Sequence, residues 1–278
     1  MHPAEPVASA GWRAELALGY ERHGERTVLA QRRHDGPLVV QKPLYPEGDA
    51  VCHTIVVHPP GGIAGGDELQ IRASAGAGAH ALLTTPGAGK WYRSSGAWAR
   101  QRVGFDLNEG AALEWLPQPT ILFEGAMAEM QFTIDLAAGA RYIGWEILCL
   151  GRTGSGERFS RGRCRLSADL RREGKRLWLE RGEIRGGAPL MASAAGLHGQ
   201  TVCATLIAAA PELGADVLAA GRKATDGAIA LTLLPGVLVA RALGDSSEAM
   251  RERFARLWSV LRLPVMGREA HEPRIWRT

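Results

Sequence analysis

One carboxylate of this sequence, Glu146, lies where an ionised side chain is poorly accommodated. The surrounding segment, Tyr142 to Leu150, has apolar residues on both faces of the expected strand, so Glu146 is expected to be at least half buried. A buried carboxylate needs a partner or takes up a proton. Glu146 therefore either forms an internal ion pair, for example with Arg141 or Arg152, or lines a water-filled passage.

Three further carboxylates stand beside turns or glycines: Asp67, Glu124 and Glu183. Asp67 ends the loop His58 to Asp67, HPPGGIAGGD, whose four glycines and two prolines imply a fixed backbone path. Its carboxylate either caps that turn or lines a functional opening. Glu124 and Glu183 are weaker candidates for an opening, because a solvated strand edge is the ordinary position for both.

The remaining motifs do not match common catalytic designs. Thr84 to Ser94, TTPGAGKWYRS, resembles a phosphate loop at its Gly-Lys pair, but Thr84 stands in place of the first glycine and Trp91 in place of the magnesium-binding Ser or Thr. There is no Gly-x-Ser-x-Gly elbow, no C-x-x-C pair and no helical zinc motif. His53 and His58 would point to opposite faces of one strand. We therefore expect no enzyme and assign no metal site.

A cluster of aromatic and basic residues follows in an expected loop: Trp91, Tyr92, Arg93 and Trp98. These residue types dominate binding energy at protein interfaces, although core packing is the ordinary fate of a single aromatic ring. The extended segment Pro117-Gln118-Pro119 leaves the sheet ladder and can present Ile121 to Phe123 to a partner. The sequence thus predicts a partner surface that includes Phe123.

The composition favours a cytoplasmic protein with an acidic partner. The chain has 278 residues, its four cysteines lie far apart, and Met1 to Gly11 contains no apolar leader segment. The longest apolar run, Ala228 to Ala240, is too short to span a membrane. The net charge is +4, and basic residues concentrate between Arg158 and Arg185. Because that stretch offers neither stacking platforms nor a recognition helix, it predicts an acidic protein surface rather than nucleic acid as its partner.

Short alternating segments between glycines predict a mainly β fold, with nearly all of the first half in strands. Three segments share one frame, each ending at the glycine of a Gly-Ala pair: Leu69 to Gly78, Gln101 to Gly110 and Met130 to Gly139. Alternation places three apolar residues of each segment on one buried face, and the Gly-Ala pair permits a tight reversal. We therefore predict a stack of repeated hairpins that share a continuous core.

The second half adds a basic hairpin and two helices. Alternation from Arg161 predicts a strand with one basic face, returning through Glu173-Gly174 as Lys175 to Glu183. The first helix is predicted over Pro211 to Ala220. The second begins at Asp245 with Glu248 as a capping box and ends at Pro264. It places five apolar residues on one face: Met250, Phe254, Leu257, Trp258 and Leu261. No linker interrupts the chain, so 1–278 is predicted to be one domain.

Several separated motifs resemble the UreD family, also called UreH. They are HPPGGIAGGD (58–67), LLTTPGAGKWYRS (82–94), LEWLPQPTILFEGA (113–126), GWEILCLGRTGSGERF (144–159) and RIWRT (274–278). The resemblance is dense from about His53 to Arg161 and only general from Gly187 to Ala242. It implies a helical β-sandwich with two helices.

The resemblance also implies a function. Such a protein would be a non-catalytic maturation factor that binds the urease apoprotein and, through UreF, the GTPase UreG. Nickel would pass through its interior without a stably bound cofactor. Nickel binds imidazole and thiolate tightly, so a transit path needs spaced carboxylates, carbonyls and water instead. Asp67, Glu146 and Glu183 are the expected path residues, with Glu124 as a lesser candidate.

Two other classes of function stay open at this point. One is a small-molecule or carbohydrate-binding β-sandwich, in which Trp91, Tyr92 and Trp98 would form a sugar platform. The other is an enzyme that uses the glycine-rich loops to bind phosphate.

Overall fold

The computed structural model describes residues 11–277. Two features of the sequence extend outside this range: the N-terminal segment that was examined for a leader includes residues 1–10, and the RIWRT motif ends at Thr278. The strands are β1 (Arg13–His23), β2 (Arg26–Asp35), β3 (Val39–Val40), β4 (Val51–Val57), β5 (Glu68–Ala75), β6 (His80–Thr84), β7 (Gly89–Trp91), β8 (Ala99–Leu107), β9 (Ala112–Leu116), β10 (Thr120–Leu122), β11 (Met127–Leu136), β12 (Arg141–Leu150), β13 (Arg163–Arg172), β14 (Lys175–Arg185), β15 (Val202–Ala209), β16 (Ala230–Leu234) and β17 (Val237–Gly244). The helices are α1 (Pro189–Ala192), α2 (Ala215–Thr225) and α3 (Ser247–Met266), with 3-10 turns at Thr153–Ser155 and Arg274–Arg277.

The strands form two sheets, which confirms the mainly β prediction. The seven-stranded sheet has the order β14-β13-β11-β8-β5-β1-β2. The ten-stranded sheet has the order β16-β17-β15-β12-β9-β6-β4-β3, with β10 and β7 added beside β12. Between β4 and β13 the main strands alternate between the sheets, so the chain winds as a solenoid-like coil.

The three aligned segments found in the sequence are stacked in register. Their matching residues are Ile71, Val103 and Phe132, then Ala73, Phe105 and Ile134, then Ala75, Leu107 and Leu136. Eight of these nine side chains are buried, and Phe132 is partly buried. Strands β1 and β13 extend the same parallel stack on its two sides. The predicted continuous core of repeated units is therefore present.

The expectation that each unit is a hairpin is wrong. Strand β5 pairs in parallel with β8, whereas the next strand, β6, pairs in parallel with β9 of the other sheet. The intervening turns carry Gly78, Gly110 and Gly139 with positive φ, and each bends the chain from one sheet to the other. A period of two followed by Gly-Ala is compatible with either geometry, so the sequence pattern could not distinguish a bend from a reversal.

One predicted hairpin is confirmed. Strands β13 and β14 pair antiparallel, and the chain reverses at Glu173 and Gly174, both of which have positive φ. Cys164 faces the core while Arg163 and Arg165 lie on the outer face, as the alternation predicted.

The helix predictions are correct in kind and shifted in their bounds. Helix α2 begins four residues later than predicted, at Ala215, and α1 was not predicted. The N-cap of α3 is Ser246, whose side chain accepts a hydrogen bond from Ala249 N, rather than Asp245. Pro264 lies inside α3, which ends at Met266 and is followed by Gly267 as a C-cap with left-handed backbone. The predicted apolar face is buried, from Met250 through Leu261.

Two apolar cores result from this layering. One lies between the sheets and includes the stacked residues. The other lies between the ten-stranded sheet and the helices, where α3 packs on β12, β15 and β17 and against α2. Within residues 11–277, no helix has the length and apolar character needed to cross a membrane.

Candidate functional site

A cavity of about 470 Å³ lies between the sheets beside the glycine-rich loops. Its walls include inward-facing Val56, Ile71 and Trp115. Its rim includes the loop residues His58, Gly61, Gly62 and Ile63 and the segment 85–90. The HPPGGIAGGD and TTPGAGK motifs thus meet at one site. The cavity also contains polar groups, among them Thr120, Gln118 and Glu146.

Glu146 is the ionisable side chain that strand β12 presents to this cavity from the core. Its Oε1 atom is buried and has no hydrogen-bond partner among the described residues. Burial raises the pKa of Glu146 to about 7, although the Thr120 side chain and the Ile147 backbone favour the charged form. Arg152 pairs instead with Glu157 at 2.7 Å, so the expected internal pair is not formed there. Glu146 therefore lines a cavity without a cationic partner, and whether this cavity is part of a water-filled passage stays a prediction.

A second unpartnered group faces the same cavity. Trp115 of β9 lies opposite Gly144 in the parallel ladder, two residues before Glu146 on β12. Its indole Nε1 is buried without a partner among residues 11–277. An orphan donor and an orphan acceptor in one roomy cavity are the conditions under which water or a polar guest is held inside a protein.

Two thiols lie within electrostatic reach of Glu146. Burial, with the charge of Glu146 as a further cause, raises the pKa of the Cys203 thiol to about 12 and the pKa of the Cys164 thiol well above its usual value. Both are therefore neutral thiols at physiological pH, and the thiolate is the form that ligates metals. No group of three or more His, Cys, Asp and Glu side chains in the described chain is placed to hold a metal ion.

Asp67 organises the loop at the cavity rim. Its Oδ1 accepts a hydrogen bond from Trp12 N, and its Oδ2 accepts one from Ala64 N, both at 2.8 Å. These contacts fit the turn-capping interpretation. Two glycines of the same loop line the cavity, and a Cβ at Gly62 would lie 2.2 Å from the Tyr92 ring.

Glu124 and Glu183 lie away from the cavity. Glu183 is held on the outer face of the seven-stranded sheet by Arg163, Arg165 and Arg185, and its hydrogen bonds to them lower its pKa to about 2. Glu124 pairs with Ser160 and Arg161 at the surface. Neither is brought together with Glu146, which corrects the expectation that the four carboxylates share one path.

The aromatic and basic residues predicted to form one surface lie partly in the core and partly at the surface. Trp91 is 2% exposed and belongs to the core, so it cannot form part of an open surface or sugar platform. Tyr92 is 37% exposed and meets the Phe123 ring edge-on at 5.1 Å. The Arg152 guanidinium lies 4.7 Å from the Phe123 ring centroid.

The other members of the cluster lie nearby in the chain but make separate contacts. Arg93 forms an isolated bridge with Ala126. Trp98 is covered on one side by Arg165, at 4.2 Å from the ring centroid, and is only partly exposed.

A buried polar network that the sequence interpretation missed joins α3 to the ten-stranded sheet. Glu114 of β9, wholly buried, accepts hydrogen bonds from Trp258 and Arg262, and its Oε1 lies 2.9 Å from His80 Nε2. Arg262 also pairs with Glu47 at 2.7 Å. Burial alone would raise the pKa of Glu114, but His80 and Arg262 outweigh it and lower that pKa.

Comparison with known proteins places the chain in a well-populated group. A family model described as UreD urease accessory protein matches residues 12–277. The Urease accessory protein UreD of Dechloromonas aromatica (strain RCB) is 58% identical over 281 residues, covering 99% of this chain and 98% of the relative. The protein of the same name from Azoarcus sp. (strain BH72) is 53% identical, covering 100% of this chain and 97% of the relative. The one from Methylobacillus flagellatus is 48% identical, covering 98% and 96%.

Proposed function

Since this chain belongs to the UreD family of urease accessory proteins, we propose that it takes part in urease maturation as a non-catalytic factor in the cytoplasm. It binds the urease apoprotein and works with UreF and the GTPase UreG. Nickel is its cargo, and it carries no stably bound cofactor.

One observation supports nickel transit through the interior. Glu146 offers a buried carboxylate oxygen without a partner to a cavity of about 470 Å³. A carboxyl that no arginine or lysine neutralises is free to exchange its proton for a cation. Its oxygen is also a weaker nickel ligand than imidazole or thiolate. The nearby Cys164 and Cys203 bind the ion less readily than exposed thiols do, because their raised pKa values make loss of the thiol proton costly.

The proposed route has Glu146 at its centre and the glycine-rich rim at one end. Asp67 contributes by holding the rim loop in place through its two backbone hydrogen bonds. Glu124 and Glu183 are committed to ion pairs at the surface, so the route does not include them. His58 also lines the cavity, and burial lowers its pKa.

We assign partner binding to the loops beside the rim. There Tyr92 meets the Phe123 ring edge-on, Arg152 lies over the same ring, and Tyr92 is 37% exposed. Aromatic rings with arginine are the usual centres of binding energy at interfaces. Their position beside the cavity rim would place a docked partner at the opening.

Co-expression with urease subunits and a UreF-like partner tests this proposal. We expect urease to co-purify with the wild-type chain and to acquire nickel. A Tyr92→Ala, Phe123→Ala variant should lose co-purification, whereas Leu263→Ala, which removes an exposed side chain of α3 on the far side of the ten-stranded sheet, should retain it. Absence of any association between the wild-type chain and urease, with UreF present, would contradict the proposal.

A further inference from the structure

A polar row on the inner face of the ten-stranded sheet leads away from the cavity. Glu146 of β12 lies opposite Thr205 of β15, and Thr205 lies opposite Arg241 of β17. Side chains directly opposite on neighbouring strands point to the same face of the sheet. Val237 and Val239 point to the same face of β17 as Arg241, and both belong to the core between the sheets. The row therefore runs inside, from Glu146 to the side where β17 lies.

An ion pair spans the two sheets at the end of this row. Arg241 Nη2 donates a hydrogen bond to Glu180 Oε1 of β14 at 2.6 Å, and its guanidinium lies 5.6 Å from the Trp178 ring centroid. Strand β14 is the last strand of the seven-stranded sheet. Trp178 Nε1, beside the pair, is buried and lacks a partner among residues 11–277.

Two inward-facing residues lie between Glu146 and this ion pair, and neither is fully buried: Cys203 and Thr205 are partly exposed. Burial is the main cause of the raised pKa of Cys203, while Glu146 and Glu180 raise it further and Arg241 lowers it. This thiol therefore lies within electrostatic reach of both ends of the row.

We propose that the Arg241–Glu180 pair closes the far end of the interior, and that a cation passes by displacing the guanidinium from the Glu180 carboxylate. This inference rests on the proposed nickel route. In the closed state the guanidinium charge repels a cation in the row. Arg241 and Glu180 are 50% and 31% exposed, and a solvated pair of this kind contributes little to stability, so its opening costs little. Once it is displaced, the carboxylate of Glu180 supplies the hard oxygen ligand that the row otherwise has only at Glu146.

Thiol alkylation of the purified full chain tests the closure without urease or nickel. In Arg241→Ala we expect iodoacetamide, followed by peptide mass spectrometry, to modify Cys203 and Cys164 about tenfold faster than in the wild type, because a local barrier to entry is removed. Loss of Arg241 also raises the pKa of Cys203, which by itself slows alkylation. A faster reaction therefore reports access and not thiol ionisation.

Two controls make the result decisive. Cys52, wholly buried on β4 near the opposite edge of the sheet, reports global unfolding and should keep its wild-type rate. Arg176→Ala removes an arginine of β14 that is similarly exposed and pairs with Asp169 on the outer face, and it should leave all four thiols unchanged. An unchanged rate at Cys203 in Arg241→Ala, or equal acceleration in Arg176→Ala, overturns the closure. Acceleration combined with nickel delivery that is insensitive to Glu146→Gln supports the closure and removes the nickel route.

Discussion

Two buried carboxylates on neighbouring strands of the ten-stranded sheet have opposite environments. Glu114 faces the helices and meets His80, Trp258 and Arg262, so its charge is fully partnered and its pKa is lowered. Glu146 faces the interior, where one of its oxygens has no partner and burial raises its pKa to about 7. Burial therefore has two outcomes in this sheet: the partnered carboxylate of Glu114 stabilises the fold, whereas the ionised carboxylate of Glu146 destabilises it.

The cost of leaving Oε1 buried without a partner is the reason for assigning Glu146 a function. A buried polar atom without a partner is destabilising, and folded proteins contain few of them. Glu146 shares its cavity with a second such atom, Trp115 Nε1. By contrast, the hydrogen bonds and ion pairs of Glu114 account for its burial, so no further role is needed to explain it.

The largest effect should come from removing the cation of the helix-side network. Arg262→Met leaves Glu114 and Glu47 buried without their arginine, which should lower the free energy of unfolding by about 3–5 kcal/mol. Urea denaturation measures the change, with Arg256→Met on the exposed face of α3 as the control. Equal stability of the two variants would show that the network does not fasten the helix.

The opposite sign is expected at Glu146. Because its pKa is raised from 4.5 to about 7 in the folded protein, the folded state binds more protons than the unfolded state between these values, and wild-type stability falls as pH rises through this window. Glu146→Gln removes this penalty, which is roughly 3 kcal/mol when complete.

Urea denaturation at two pH values checks this sign. The Glu146→Gln variant should be more stable than the wild type at pH 8 and similar to it at pH 5. The exposed Glu109→Gln variant should follow the wild type at both values. A loss of stability in Glu146→Gln at pH 8 would show that Glu146 is partnered after all.

A surface carboxylate should respond least. Glu183 binds three arginines, yet the cluster lies on the exposed outer face, where solvent and salt screen it. Glu183→Gln should change the midpoint of thermal unfolding less than Arg262→Met does, and added salt should shrink the difference from wild type. An effect as large as that of Arg262→Met would mean that pairing, rather than burial, decides which carboxylates fasten the fold.

The sequence predicted local patterns better than connections across space. Alternation identified the stacked residues such as Ile71 and Val103 correctly, because period two is a property of one strand. Alternation did not distinguish hairpins from a solenoid-like winding, because the pairing of β5 with β8 instead of β6 depends on the whole sheet. The position of Pro264 inside α3 was missed for a related reason: tertiary packing of Val265 and Met266 holds the last turn.

The site shows the same limit. Glu146 was recognised because apolar residues surround it on its own strand. Glu114, in the apolar strand Ala112–Leu116, carries the same signal and was overlooked, as was Arg262 among the buried residues of α3. Glu114 and Arg262 lie 148 positions apart in the sequence, so no local pattern predicts their contact. For Asp67 the turn-capping alternative was open to local reasoning, because Ala64 N lies three residues away, whereas its second donor, Trp12 N, lies 55 positions away and was not predicted.

Nickel delivery by a Glu146 variant shows whether the ion passes this carboxylate. Urease apoprotein is purified after maturation with the wild-type chain, with Glu146→Gln or with the surface control Glu183→Gln, once each chain has been shown to bind urease, and its nickel content is measured by mass spectrometry. We expect markedly less nickel per active site with Glu146→Gln and wild-type content with Glu183→Gln. Full nickel loading by the Glu146→Gln chain would contradict it.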